Sequence, residues 1–452
     1  MKKLGGDKLK SEVSELSREV QKQLRRTYWQ YTNSLFVSDD DKKSPNRKKF
    51  YTYVKHLRNT SSGVPPLKSN GKLYSEPKEK AEILNNQFNK AFSDGKEYDF
   101  DAFKRKCTMT DDSTNYPSMK DIEISKADVE KLLANLDPSK ATGPDGISPR
   151  ILRELSKEIA PILTIIFQRS LSTGLVPHDW KEALVTPVYK KGEHYNPVNY
   201  RPISLTCVSC KLMEHILVSN IMDHLEENNI LCAQQHGFRK KLSCETQLLE
   251  FMEELSENLE KGNRTQTDVI VMDFAKAFDR VNHSLLVHKL NHFGIRNSTN
   301  QWISAFLHGR SQTVVVEGAK SNPIPVRSGV PQGSVLGPCL FLIYINDLSS
   351  RVSSLTRLFA DDTILYRFVA AATDHNILQD DLKKLELWES EWDMSFHPDK
   401  CSVILVTKKK EATHHQYILY GHTLDHVSSA KYLGVTGKRR DAGTEVIYIN
   451  EE

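Results

Sequence analysis

The 452-residue sequence is poor in cysteine and has no long apolar run. Its seven cysteines, an odd number scattered along the chain, do not make a disulfide framework. A reducing intracellular compartment, nucleus or cytoplasm, suits them best. Cys207 and Cys210 form one C-x-x-C, but no second pair follows at the spacing of a zinc ribbon. The strongest apolar stretch, Cys339–Ile345, falls far short of the roughly 20 residues that a membrane span needs. The opening MKKLGGDKLKSE lacks the apolar segment of a secretory signal. There is no G-x-S-x-G elbow of a serine hydrolase and no G-x-x-x-x-G-K-[ST] phosphate loop. Internal repeats are missing too.

Charge of one sign is equally lacking, since 62 Lys and Arg face 58 Asp and Glu, a net +4. The balance is uneven along the chain. Residues 1–60 hold 15 basic and 7 acidic side chains, a net +8, which leaves 4 − 8 = −4 for the rest. A basic arm on a slightly acidic body suits a nucleic-acid partner, because neutralising phosphates releases counterions. A solvated helix explains the same charge.

Residues 11–35 carry Leu16, Val20 and Leu24 at helical spacing. Arg25, Arg26, Tyr28, Trp29 and Tyr31 mix cations with aromatics, as nucleic-acid surfaces do; a helix packed on the body is the other reading. Residues 37–49 and 93–118 read as linkers, and Pro77 to Phe92 as a helix. From Ile122 the texture changes. Ser125 with Asp128 predicts a capped helix start. Between Val185 and Tyr432 strands and helices alternate without the βαβ rhythm of a doubly wound sheet, which predicts an α+β fold.

Two segments carry the chemistry. In TDVIVMDFAKAFDRVNHSLL, Val269 to Met272 are apolar in succession, the pattern of a strand buried on both faces, and the run ends in Asp273. Asn282 is placed to cap the helix that follows. In TRLFADDTILYRF, two short apolar runs flank Asp361 and Asp362, which predicts a hairpin with two acids at its turn. Carboxylates crowded at strand ends repel each other and raise one another's pKa. A divalent cation relieves that repulsion, and oxygen-rich sites suit Mg2+. If Asp273 and Asp361 converge, two ions roughly 4 Å apart can activate an attacking hydroxyl and stabilise a leaving pyrophosphate. Between the acids lies RSGVPQGSVLGPCLFLIYINDL, a glycine-rich loop leading into an apolar helix. Such a loop can approach a base pair or a phosphate without Cβ clashes, and it equally reads as a structural turn.

Together these segments resemble the reverse transcriptases of non-LTR (LINE-type, jockey-like) retrotransposons. The matching strings are NYRPISL, QHGFRKKLSCETQL, VMDFAKAFDRVNH, SGVPQGSVLGP, INDL, FADDTILY, FHPDKC and KYLGV, in the family's order. GPDGISPRIL matches the region before the polymerase core. The resemblance spans about residues 120–435. It implies a right-hand polymerase fold, with fingers and a palm whose antiparallel sheet is backed by helices. The domains expected are a basic, partly helical extension and linker (1–118), fingers and palm (119–435) and a divergent tail (436–452). The thumb is expected to be truncated and the family's upstream endonuclease missing.

Residue roles follow from the same resemblance. Asp273, Asp361 and Asp362 match the metal-binding catalytic triad, with the backbone carbonyl of Phe274 completing one site. The metal implied is Mg2+, with Mn2+ as a substitute. Phe278 matches the steric gate against a ribose 2′-hydroxyl. Arg201 and Arg239 lie in finger motifs, and Arg239 is the better candidate to grip the triphosphate, since guanidinium matches phosphate oxygens bidentately. Lys190 and Lys191 are weaker candidates. Gln332 and Gly333 would approach the nascent base pair, and Asp279 is structural. Lys400 matches a lysine that protonates the leaving pyrophosphate, and Tyr432 to Val435 match a primer-grip hairpin. The expected activity is RNA-directed DNA synthesis. The partners are an RNA template, a DNA primer and dNTPs, with no membrane and the oligomeric state open. The alternatives are an inactive nucleic-acid-binding remnant of such an element and, less favoured, a group II intron maturase-like protein.

Overall fold

A computed structural model of the chain describes residues 18–27, 29–30, 63–99, 101, 116–261, 265–409 and 411–438. Tyr28, Tyr31, the 37–49 linker and most of the 436–452 tail lie outside the described residues. The chain divides into two units, Met1–Pro65 and Pro66–Glu452. In the first, residues 18–27 are helical and exposed.

The second unit is mixed α and β, built around two five-stranded sheets. The first sheet runs in the order Asp425–His426, Ser402–Thr407, Gln266–Asp273, Asp362–Val369, Leu355–Phe359. Its pairings are antiparallel except at the Asp425–His426 edge. The central Gln266–Asp273 strand is covered on both faces, which explains its unbroken apolar run. On one side Val269, Ile364, Tyr366 and Val406 pack with Phe251 and Leu255 of the helix Cys244–Glu260. On the other, Ile270, Met272, Leu365 and Val403 join the main core with Leu378, Leu382 and Leu385 of the helix Ala372–Trp392. The helix Leu336–Ile345 is apolar all round and buried along nearly its whole length. The second sheet pairs Tyr200–Leu205 with Glu182–Tyr189, and Glu182–Tyr189 in parallel with Arg310–Val316. No helix among the described residues is long and apolar enough to cross a membrane.

The segment before residue 118 is bonded into the second unit by polar as well as apolar contacts. In the helix Pro77–Asn89, the fully buried Asn85 donates to Ser321 Oγ at 2.9 Å and to the Asn322 carbonyl at 2.8 Å, and accepts from Gln312 at 2.9 Å. Further on, the Ser93 amide donates to Ser328 Oγ at 2.8 Å and the Tyr98 amide to Ser284 Oγ at 3.0 Å. These partners lie more than 180 residues away, so the segment reads as a linker by composition while its bonds tie it to the body.

Burial pushes the Glu389 carboxyl in this core up to about 9, an effect the Phe396 amide offsets only in part. The folded state thus holds the proton more tightly than the unfolded chain, whose value is about 4.5. The stability from Glu389 is full below pH ~4.5 and falls as pH rises toward 9. Glu389→Gln removes this titration. It is expected to be more stable than wild type by about 1–3 kcal/mol at pH 8, with the gain shrinking toward pH 5. Thermal melts of both proteins at the two pH values measure it.

Candidate active site

The central strand delivers Asp273 to its end, and a left-handed residue, Lys276 (φ 58°), turns the chain away into the short helix Ala277–Arg280. Asp362 opens the neighbouring strand and is the register partner of Asp273. Directly opposed residues in an antiparallel pair project their side chains on the same face. Ala360 and Asp361 form the two-residue turn between Phe359 and Asp362, which are themselves paired. The predicted hairpin is therefore formed, with one acid in the turn and one at the first position of the returning strand. Ala360 adopts φ 54°, which costs a residue with a Cβ roughly 1–2 kcal/mol.

The FHPDKC segment joins this edge. The His397 amide donates to the Asp273 carbonyl and the Ala275 amide to the Ser395 carbonyl, both at 2.8 Å. Phe274 and Phe396 form the bridge between these bonds and stack at 4.3 Å. Phe274 is thus the non-hydrogen-bonded member of an antiparallel pair, so its own carbonyl points away from Phe396, to the flank where the Asp362 strand lies. The turn Pro398–Lys400 then brings Lys400 Nζ within 2.6 Å of Asp273 Oδ2.

Electrostatics define the rest of the site. Burial, and then repulsion from Asp273, raise the Asp361 carboxyl above its usual range. Arg201 and Lys190 oppose that rise, which puts both cations within electrostatic reach of Asp361. The withdrawal of water, then Asp361 and Asp273, push Asp362 up to about 6. Lys190 is lowered by burial and by the like charges of Arg201 and Lys400. Three carboxylates thus lie within electrostatic reach of three cations. Lys190 and Arg201 come from the hairpin of the second sheet, where Val188 pairs with Arg201.

Among the described residues, no group of three or more His, Cys, Asp or Glu is gathered closely enough to hold a metal ion. The donor chemistry nevertheless fits one. Asp361 and Asp362 stay raised even with Arg201 and Lys190 in reach, Asp273 is held by the Lys400 ammonium, and all the donors are hard oxygens.

Comparison with known proteins decides what this edge belongs to. The family model described as reverse transcriptase (RNA-dependent DNA polymerase) matches residues 188–437, more than half of the chain. This chain belongs to the reverse transcriptase family. It is 28% identical to the RNA-directed DNA polymerase from mobile element jockey of Drosophila melanogaster, over 80% of this chain and 40% of that protein. It is also 28% identical to the probable RNA-directed DNA polymerase from transposon BS of the same fly, over 83% of this chain and 42% of that protein. A Pol polyprotein from the type-1 element R2 of Popillia japonica is 28% identical over 51% of this chain and 31% of the relative. The chain therefore spans about two fifths of the length of the first two relatives.

Other expected site residues of this reverse transcriptase chain are placed less uniformly. The glycine loop stitches the turn after Asp273 to the Arg201 strand. The Val330 amide donates to the Phe278 carbonyl at 2.7 Å, and the Ser204 amide to the Gln332 carbonyl at 2.8 Å. Gly333 has φ 112°, and a Cβ there would stand 2.5 Å from the Ser204 carbonyl oxygen, so only glycine fits. Gln332 Nε2 donates to Asp279 Oδ1 at 3.0 Å. Asp279, buried and pushed up to about 6, is a support for Gln332, consistent with a structural reading. Phe278 is half-buried and stacks on Phe341 at 4.6 Å.

Arg239 is engaged by protein groups. Its Nε and Nη2 donate to the two oxygens of Glu226 at 2.9 and 2.7 Å, and Nη1 donates to the carbonyls of Cys232 and Gln235. A guanidinium bound on both sides this way is a clamp, and it is Arg201 and Lys190 that face the carboxylates. Glu226 comes from a helix outside the motif, Val208–Glu227. Tyr432 and Val435 do pair across a hairpin, Ser429–Tyr432 with Val435–Lys438.

Proposed function

We propose that the chain is an RNA-directed DNA polymerase of a non-LTR retrotransposon, extending a DNA primer on an RNA template with dNTPs, inside the nucleus or cytoplasm. The observation that carries this reading is the register pairing of Asp273 with Asp362, with Asp361 in the intervening turn and Lys400 on Asp273. In this reading the first sheet is the palm, the Lys190–Arg201 hairpin belongs to the fingers, and the fold is that of a right hand.

Asp273, Asp361, Asp362 and the Phe274 carbonyl would hold Mg2+ or Mn2+, which supplies charge neutralisation and activation of the primer 3′-hydroxyl. The protein's own groups do the positioning. Arg201 and Lys190 bind the nucleotide's polyphosphate, Arg201 through a planar fork of donors. Lys400 Nζ, released from Asp273, holds a proton for the departing pyrophosphate oxygen. Phe278 fills the space that a ribose 2′-hydroxyl would need. Fixed charges aimed at the reacting phosphate supply most of the rate.

Primer extension on an RNA template with Mg2+ and dNTPs tests the reading. Incorporation by the wild-type chain supports it. Retained RNA binding with no incorporation would instead establish an inactive remnant. Phe278→Val is expected to relax the preference for dNTP over rNTP by about 10- to 100-fold, read as the ratio of the two kcat/KM values.

A further inference from the structure

The strained turn that carries Asp361 is not held by its own hairpin alone. The segment Gln234–Gly237 lies along it, although the two are far apart in sequence. The Leu358 amide donates to the Gln234 carbonyl and the His236 amide to the Leu358 carbonyl, each at 3.0 Å. Between these bonds the Gln235 side chain folds onto the turn. Its Oε1 accepts from the Ala360 amide at 2.9 Å and from the Gly237 amide at 2.8 Å. Two backbone donors on one oxygen settle which end of the carboxamide faces the turn. Gln235 is 2% exposed and Ala360 6%, so water does not stand in for this acceptor.

The close approach extends to Gly237. A Cβ at that position would lie 2.4 Å from the Ala360 nitrogen, so the brace meets the turn backbone to backbone. Behind the brace stands the Arg239 clamp, whose Nη1 holds the Gln235 carbonyl at 3.2 Å while its other donors grip Glu226. A chain of contacts therefore runs from the helix Val208–Glu227 through Arg239 and Gln235 to the amide of the residue preceding Asp361.

We propose that Gln235 is a positioning residue for catalysis: its side-chain oxygen anchors the left-handed Ala360 amide and thereby sets where Asp361 stands relative to Asp273. The inference rests on the polymerase reading above. The bonds of Gln235 Oε1 go to the Ala360 and Gly237 amides, so it acts through the turn.

Gln235→Met keeps the length and the apolar volume but has no oxygen to accept the two amides. Gly237→Ala leaves Gln235 intact and drives the two backbones apart. Each variant is measured by steady-state primer extension and by hydrogen exchange of the 358–362 amides. Both are expected to lower kcat by about 10- to 100-fold while KM for dNTP and RNA affinity stay within about twofold. Exchange at Ala360 and Asp361 is expected to quicken about tenfold, with protection elsewhere retained and Tm lower by about 2–6 °C, the cost of the stranded amides. Wild-type kcat in Gln235→Met overturns the proposal, and so does a parallel loss of kcat, affinity and Tm, which marks general unfolding. If the wild-type chain extends no primer, the polymerase reading fails by itself. Exchange then decides the brace: unchanged rates in both variants overturn it, and selective loss of protection in the turn supports it.

Discussion

Asp361→Asn is expected to lower primer extension by about three orders of magnitude or more, with RNA binding and Tm preserved. The side chain keeps its shape, and only its charge is removed. That charge sits in a half-buried turn, already raised by burial and by the nearby Asp273. The fold holds it there against that repulsion, and in the proposed reaction a cation would relieve it. The same reasoning sets the sign of the stability change. An unfavourable charge is being deleted, so Asp361→Asn melts at or above the wild-type temperature when no metal is present. Single-nucleotide incorporation and a thermal melt on the same preparations measure both effects. A variant with wild-type incorporation rates would remove the Asp361 turn from the mechanism. A variant that melted well below wild type would show the acid to be structural.

The largest expected loss of stability comes from a different acid. Asp347, in the INDL segment, pairs its Oδ1 with Lys289 Nζ at 2.5 Å, and both side chains are 2% exposed. The ammonium also donates to the Tyr344 carbonyl and lies 3.3 Å from the centre of the Trp392 ring. Arg351 reaches the other Asp347 oxygen at 4.0 Å. Asp347→Leu removes the carboxylate and leaves a buried ammonium without its counter-ion, at about 3–5 kcal/mol. For a unit of this size that lowers Tm by roughly 5 °C. The double replacement Lys289→Met with Asp347→Leu is expected to recover most of the loss, because an apolar pair of similar volume needs no desolvation of charge. Calorimetry on the two single variants and the double closes the cycle. A double variant as unstable as Asp347→Leu alone would mean that the aspartate acts through Arg351 instead.

Much of the candidate site's edge was legible from local pattern. An unbroken apolar run ending in Asp273 reads as a buried strand because two covered faces leave no room for alternation, and the strand is there. The FADD hairpin followed from short apolar runs on either side of two polar residues. Asn282 and Ser125 cap helices, accepting from the amides of Leu285 and Asp128. Each of these signals spans a few residues, which is the range over which backbone geometry and periodicity act.

What was missed is non-local. Arg239 is the clearest case, since its guanidinium suits a triphosphate and a glutamate equally well, and only the fold brings Glu226 to it. Lys289 looks like any surface lysine in a helix until the aromatic residues around it close. The segment 93–99 reads as a linker because its composition is polar, yet its amides are bonded into the body.

The sequence by itself determined which chemical groups this member of the reverse transcriptase family has at its disposal, in what order, and on which local elements they ride. The tertiary structure alone decided the register that opposes Asp362 to Asp273, the arrival of Lys400 from 127 residues away, and the seat of Gln235 on the Ala360 amide. Periodicity and capping are properties of a few neighbouring residues. The partner of a charge is chosen by whatever the packed core carries to within about 3 Å of it, and that distance is not written in any single segment.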